Sequence, residues 1–335
     1  MISEFSLIQR YFEQLTPKRD DVILGIGDDC ALLQCPADHL IAVSIDTLVE
    51  DVHFFADVDP LTLGHKSLAV GLSDLAAMGV TPAWFTLALT LPEFDEQWLQ
   101  GFSQGLAELA QQYNIQLVGG DTTRGPLSIS IQVHGHVPTD LALQRDKANV
   151  GDMIYVSGTL GDAGAALQMQ LKQWHDDQLN DEDKSYLQHR LECPTPQLEL
   201  GEKLRGIASA AIDISDGLVA DLGHILNKSN VSARLDLSQL PLSSALAKID
   251  QQTAQQFALY SGDDYELCFT VPPQHFAQMQ TDFKQCTRIG VIIKVIKGSA
   301  SLIYGTNFQA VKSKIKLADP LITLIITGTG YDHFK

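Results

Sequence analysis

"HLIAVSIDTL" (residues 39–48) and, after a short connection, "DPLTLGHKSLAVGLSDLAAMGVTP" (59–82) decide the fold class. The first is short and rich in Ala, Val and Ile, which reads as a strand. The second is too long for a strand and reads as a helix. Asp59 is placed to cap it, Pro60 suits its first turn, and Gly79 with Pro82 ends it. "AWFTLALTL" (83–91) is a second strand. "DEQWLQGFSQGLAELAQQYN" (95–114) is a second helix, with Trp98, Phe102, Leu106, Leu109 and Tyr113 on one face. "IQLVGGD" (115–121) reads as a short buried strand ending in a turn, and "LSISIQVHGHV" (127–137) alternates strictly, so one face of that strand is polar. This alternation predicts an α/β domain over residues 1–138.

The second half, 150–335, predicts a larger α/β domain after a polar connection. Its strands are "MIYVSG" (153–158), "SAAIDIS" (209–215), "YELCFTV" (265–271) and "CTRIGVIIKVI" (286–296). Gly-rich "GTLGDAGAAL" (158–167) and "DGLVADLGHILNKS" (216–229) open helices, and 273–282 predicts another. The acidic run "HDDQLNDEDK" (175–184) reads as a solvated loop leading into a helix.

With 335 residues, 45% of them apolar, the chain has material for two cores. It has no apolar run of the length, about 18 residues, that spans a membrane. The first residues read as a short amphipathic helix without the basic start of a signal peptide. Five cysteines, an odd number with no CxxC pair, suit a reduced cytoplasmic protein without a zinc site. A formal net charge of -18 without a basic stripe argues against nucleic acid and anionic membranes as partners.

The acids are unevenly chosen, 30 Asp against 11 Glu. Asp suits turns, caps and hard-metal sites, whereas helix surfaces favour Glu. Five stations share an unusual context: Asp28/Asp29 after "GIG", Asp46 at a strand end, Asp74 in "VGLSDLAAMG", Asp121 after "LVGG", and Asp213/Asp216 in "AIDISDGL". A carboxylate in apolar surroundings is costly to ionise unless paired. Only 23 Lys and Arg are present, and they rarely adjoin these stations. Mg²⁺, which takes oxygen ligands and is completed by substrate phosphates, is the economical counter-charge. Any one Asp alone reads more readily as structural. The repetition of the context is what points to a site.

No P-loop is present, and "GIGDDC" fails the dinucleotide pattern at its third glycine. "GTLGDAGAAL" fits either a phosphate site at a helix N-terminus or close helix–strand packing. His134 and His136 share a strand face but lack a third metal ligand, so a polar sheet face or subunit contact is the better reading. His53, Arg124 and Arg145 are candidate substrate or phosphate contacts.

Taken in order, "GIGDDCALL" (25–33), "DTLVEDVHF" (46–54), "LSDLAAMG" (72–79), "LALTLP" (87–92), "GGDTTRGPL" (119–127), "AIDISDGL" (211–218), "GDDYELCF" (262–269) and "GYDHF" (330–334) resemble the thiamine-monophosphate kinase family. That family sits in a superfamily with aminoimidazole ribonucleotide synthetase. The resemblance implies a ferredoxin-like N-terminal domain whose sheets pair in a homodimer, a C-terminal α/β domain, and ATP in a cleft between them. It implies phosphorylation of thiamine monophosphate to thiamine diphosphate by ATP. Two anions meeting on an acidic chain call for several Mg²⁺ ions in a direct in-line transfer, and an acceptor phosphate with its second pKa near 6 needs no protein general base. By motif, the metal ligands would be Asp29, Asp46, Asp74, Asp121, Asp213 and Asp216, with Asp46 and Asp213 the catalytic pair. Gly120, Asp121, Arg145 and Ser215 would contact ATP; His53, Asp263 and Tyr331 would contact thiamine monophosphate. Two positions depart from the family pattern. Ile45 stands where the family often has Thr, so a metal contact there would come from backbone, Ser44 or Thr47. Asp263 stands where the family often has the longer Glu.

Overall fold

The computed structural model describes residues 4–295 and 323–326. The chain divides into two compact units, residues 1–142 with 192–203, and residues 143–191 with 204–335.

The first unit begins with α1 (Glu4–Tyr11) and a small antiparallel pair, β1 (Val22–Leu24) and β2 (Leu32–Leu33). Then come β3 (His39–Val49), α2 (Pro60–Ala77), β4 (Thr81–Leu91), α3 (Glu96–Gln112), β5 (Gln116–Arg124) and β6 (Ser128–Pro138). Asp59 caps α2, accepting from Leu61 N at 2.9 Å, and Pro60 fills its first turn. Asp95 caps α3 by accepting from Gln97 N at 2.9 Å and Trp98 N at 3.1 Å. The four strands lie in the order β3-β6-β4-β5, with β4 and β5 parallel and the other pairs antiparallel.

Register places Asp46, Ile131, Leu87 and Gly120 in one row across this sheet. Ile129, Ile131 and Val133 of β6 and Phe85, Leu87 and Leu89 of β4 are buried on one face, with α2 packed against β6 and α3 against α2. The helices touch backbone to backbone: a Cβ on Gly64 would lie 2.1 Å from Phe102 O, and one on Gly105 1.9 Å from Leu61 O. On the opposite face β3 exposes Ile41, Val43 and Ile45.

The second unit holds β7 (Met153–Ser157), α4 (Asp162–Gln170) and α5 (Asp181–Glu192); α6 (Leu198–Lys203) then packs with the first unit. The second unit resumes with β8 (Ala210–Asp213), α7 (Leu218–Ser229), β9 (Ser232–Asp236), α8 (Gln251–Tyr260), β10 (Leu267–Val271), α9 (Phe276–Asp282), β11 (Cys286–Ile293) and β12 (Thr323–Ile326). Its sheet runs β12-β9-β11-β7-β10-β8, antiparallel throughout. Ile154, Val156, Ile212 and Ile289 form its core with Leu222 and Ile225 of α7.

The mixed α/β class therefore stands. The acidic run at 175–184 is mostly exposed and leads into α5, with Leu179 and Asp183 its buried positions. Asp183 is buried and accepts from Lys248 Nζ at 2.7 Å, which holds its carboxyl below the usual range. Among the described residues no helix is long and apolar enough to cross a membrane.

Candidate active site

The first acidic group lies between β3 and α2. Gly71 lets the helix pass close to the strand: a Cβ there would meet Val133 at 3.1 Å and Asp46 Oδ2 at 3.4 Å. One turn further along α2, Asp74 accepts a hydrogen bond from Ser44 Oγ of β3. Asp46 Oδ2 is buried and has no hydrogen-bond partner among the described residues. Burial, and then the charge of Asp74, raise the Asp46 carboxyl to about 6. Two carboxylates held together with a buried, undonated oxygen fit a hard divalent cation, which would supply the missing positive charge. Ile45 points its side chain to the other face of β3 and Thr47 Oγ1 pairs with Ser130 Oγ at 2.7 Å, so Ser44 is the side-chain oxygen on the acidic side.

A second group lines a cavity of about 470 Å³ alongside β5. Its polar wall is Asp28, Asp29, Gly120 and Asp121, and its apolar wall includes Phe12 and Val118. Gly27, at φ +122°, turns the loop so that Asp29 N donates to Asp28 Oδ1 at 2.8 Å. Both aspartates stay exposed, as does Asp121. Gly120 is fixed by packing: a Cβ would lie 2.0 Å from Leu87 O. Asp46 and Gly120 occupy the same row on opposite edge strands, three strand spacings or about 14 Å apart. Within one copy of the first unit, then, Asp46/Asp74 and Asp29/Asp121 are separate groups.

His53 sits in the turn after β3, exposed, with Nδ1 accepting from Val49 N at 3.0 Å.

The third group belongs to the second unit. Asp213 ends β8 and is buried; Ser215 and Asp216 follow in the turn before α7, with Asp216 exposed. The loop at 261–265 closes onto this turn. Asp263 N donates to Ser215 O at 2.9 Å and Tyr265 N to Ile214 O at 2.9 Å. Gly262 permits the approach, since a Cβ would lie 2.1 Å from Ser215 O. Asp263 adopts φ 64° and accepts from Tyr265 Oη at 3.1 Å. Arg145 is exposed, and its carbonyl accepts from Ser229 Oγ of α7 at 2.9 Å. Its charge, after burial, lowers His224. Tyr331 lies outside the described residues.

Sequence reasoning missed Asp221. Its Oδ2 accepts from Ser215 N, Asp216 N and Gly217 N, each at 3.0 Å. Burial and the carboxylates of Asp213 and Asp216 hold its own carboxyl well above the usual range. Asp216, Asp221 and His224 place one ligand atom each within 4.8 Å of one another. The signal was the spacing Asp213, Asp216, Asp221, the last falling on the buried face of an amphipathic helix.

The glycine-rich turn before α4 is occupied from within the protein. Gly161 N donates to Asp264 Oδ1 at 3.0 Å and Oδ2 at 2.8 Å. Arg190 then bridges Glu266 at 3.0 Å and Asp162 at 3.7 Å. A phosphate has no place at that N-terminus, so packing is the correct reading. His136 is spent on aromatic contacts with His39 and Trp84, at 5.7 and 6.2 Å between rings. Burial lowers His134.

The AIR synthase related protein family accounts for both halves: its N-terminal domain matches residues 27–137 and its C-terminal domain residues 149–302. Thiamine-monophosphate kinase of Haemophilus influenzae is 49% identical over 339 residues, covering 100% of this chain and 98% of that one. The crystal structure of thiamine-monophosphate kinase from Stenotrophomonas maltophilia superposes with a TM-score of 0.81 at 47% identity, over 88% of this chain and 95% of that one. A structure described as AaThiL complexed with AMPPCP and TMP gives a TM-score of 0.71 at 30% identity, over 78% of this chain and 84% of that one.

Proposed function

The chain belongs to the thiamine-monophosphate kinase family, within the AIR synthase related proteins, and from that premise we propose how its residues carry the reaction. It is a kinase. The reaction is transfer of the γ-phosphoryl group of ATP to the phosphate of thiamine monophosphate, giving thiamine diphosphate and ADP. The observation that carries the reading is the Asp46–Asp74 pair with its undonated buried oxygen. Both substrates are anions and the chain is strongly acidic. Bound Mg²⁺ would neutralise charge on the transferring phosphoryl group. Asp46 and Asp74 would hold it at one edge of the first sheet, Asp29 and Asp121 at the other, and Asp213 with Asp216 in the second unit.

The residues then act by placement. Gly120 and the Asp121 backbone offer close approach to ATP; Ser215 and Arg145 add a hydroxyl and a positive charge. His53 and Asp263, with Tyr331, hold thiamine monophosphate. The acceptor phosphate has its second pKa near 6, so its attacking oxygen is already largely ionised at neutral pH. In-line transfer therefore proceeds without a protein base, and the chain supplies orientation.

The working form is a homodimer in the cytoplasm. In support, β3 exposes Ile41 (55%), Val43 (51%) and Ile45 (63%) along one face at the edge of a sheet, a surface that a second copy would cover. The first unit is not ferredoxin-like as the resemblance implied: its two helices and four strands follow the order β-α-β-α-β-β with β4 and β5 parallel, whereas a ferredoxin-like domain runs β-α-β-β-α-β. Association of the β3 edge of one copy with the β5 edge of the other would bring Asp46 towards Asp121 of the partner subunit. Five free cysteines suit a reducing compartment.

The test is ADP and thiamine diphosphate formation from Mg-ATP and thiamine monophosphate, with an aminoimidazole precursor as the competing acceptor. Turnover with thiamine monophosphate alone is expected; turnover with the precursor alone would overturn the assignment.

A further inference from the structure

We propose that Asp221 is a positioning residue for the known reaction, fixing the turn that presents Ser215 and Asp216. This rests on the kinase reading above. Three consecutive N–H groups converge on one carboxylate oxygen, Asp221 Oδ2, at 3.0 Å each. That oxygen belongs to a residue 3% exposed, on the first turn and a half of α7. Gly217, the residue preceding the helix, has no side chain to cap it and adopts φ 118°. The carboxylate reaches back from inside the helix and takes over that task for three amides at once.

The same turn is gripped from its other side. Ser215 O accepts from Asp263 N at 2.9 Å, and Gly262 sits against that carbonyl. With amides drawn one way and the carbonyl the other, the peptides at 215–217 have one orientation. The Asp216 carboxylate is left exposed while its backbone is tied down. A cap meant only for stability would be met by Ser, Thr or Asn at the N-cap, without burying a third carboxylate beside Asp213 and Asp216. Here the like charges are accepted, and the return is a fixed turn at the site. Removing the carboxylate frees three amides and lets the turn rotate.

The experiment compares D221N and D221A with the parent full-length chain. The readouts are steady-state kinetics, hydrogen exchange of the segment 213–218, and Tm. For D221A the expected result is faster exchange in that segment, a KM for Mg-ATP raised about tenfold or more, and a KM for thiamine monophosphate changed less than about twofold. D221N, which keeps one acceptor oxygen, should fall between. A drop in Tm with exchange at 213–218 and the KM for Mg-ATP both unchanged would overturn the proposal. If D221A does not fold, D221N decides by the same criteria. If the parent chain makes no ADP with thiamine monophosphate, the kinase reading fails by itself, and exchange at 213–218 still decides whether Asp221 holds the turn.

Discussion

Ser44 Oγ on β3 donates its hydrogen to Asp74 Oδ2 on α2, tying the edge strand to the helix at the point where Asp46 carries its unsatisfied oxygen. A hydroxyl that orients one acid of a pair sets the geometry both present to a cation. S44A should raise the Mg²⁺ concentration for half-maximal activity by about threefold to tenfold and leave Tm nearly unchanged. T47A, whose hydroxyl faces Ser130 on the other side of the strand, should leave the Mg²⁺ curve where it was. The check is ADP release titrated with Mg²⁺.

Asp46 makes metal-free stability fall as pH rises. Its folded carboxyl lies near 6, above the unfolded value of 3.8, so the folded chain binds more protons between those limits. Stability from this group is full below pH 3.8 and is lost as pH climbs through about 6, a change of about 3 kcal/mol. Without Mg²⁺, D46N should therefore be more stable than the parent at pH 7.5 and show a flatter profile. Denaturant midpoints from pH 5 to 8 measure it.

D46N and D213N should each abolish turnover while circular dichroism stays that of the parent, since Asn keeps the shape but removes the charge. Near-normal kinetics in both would remove these residues from the metal set.

V43E places a charge in the exposed apolar row of β3 and should convert a dimer to monomers in sedimentation velocity, with activity lost alongside. A folded monomer with parental activity would show that one copy completes its own site.

G120A should destabilise the chain by about 2 kcal/mol, because the added methyl has Leu87 O in its way and two strands must part. Urea unfolding reads this directly. Lost activity in G120A therefore reports strand spacing before it reports contact with ATP.

Much of the first unit was legible because its signals are local. Asp59–Pro60 caps and opens α2, and β6 alternates residue by residue. In the second unit β9 and α8 escaped. "SARLD" is five residues without clean alternation, and "QQTAQQFALY" hides an apolar face among four glutamines. At the site, acids in apolar runs announced themselves through their desolvation cost. Asp221 did not, because "LVADL" looks like any helix with one polar position. Its three bonds run back to residues four to six positions earlier, a geometry set by the Gly217 turn.

The row that carries Asp46 on one outer strand and Gly120 on the other has a genetic corollary for a paired molecule. If each centre draws Asp46 from one copy and Asp121 from its mate, two dead proteins can rescue each other. Co-refolding D46N with D121N in equal amounts would give mixed pairs with one intact centre apiece, restoring roughly a quarter of parental turnover under random exchange. Inactivity in every mixture would mean that each polypeptide must gather both acids by itself.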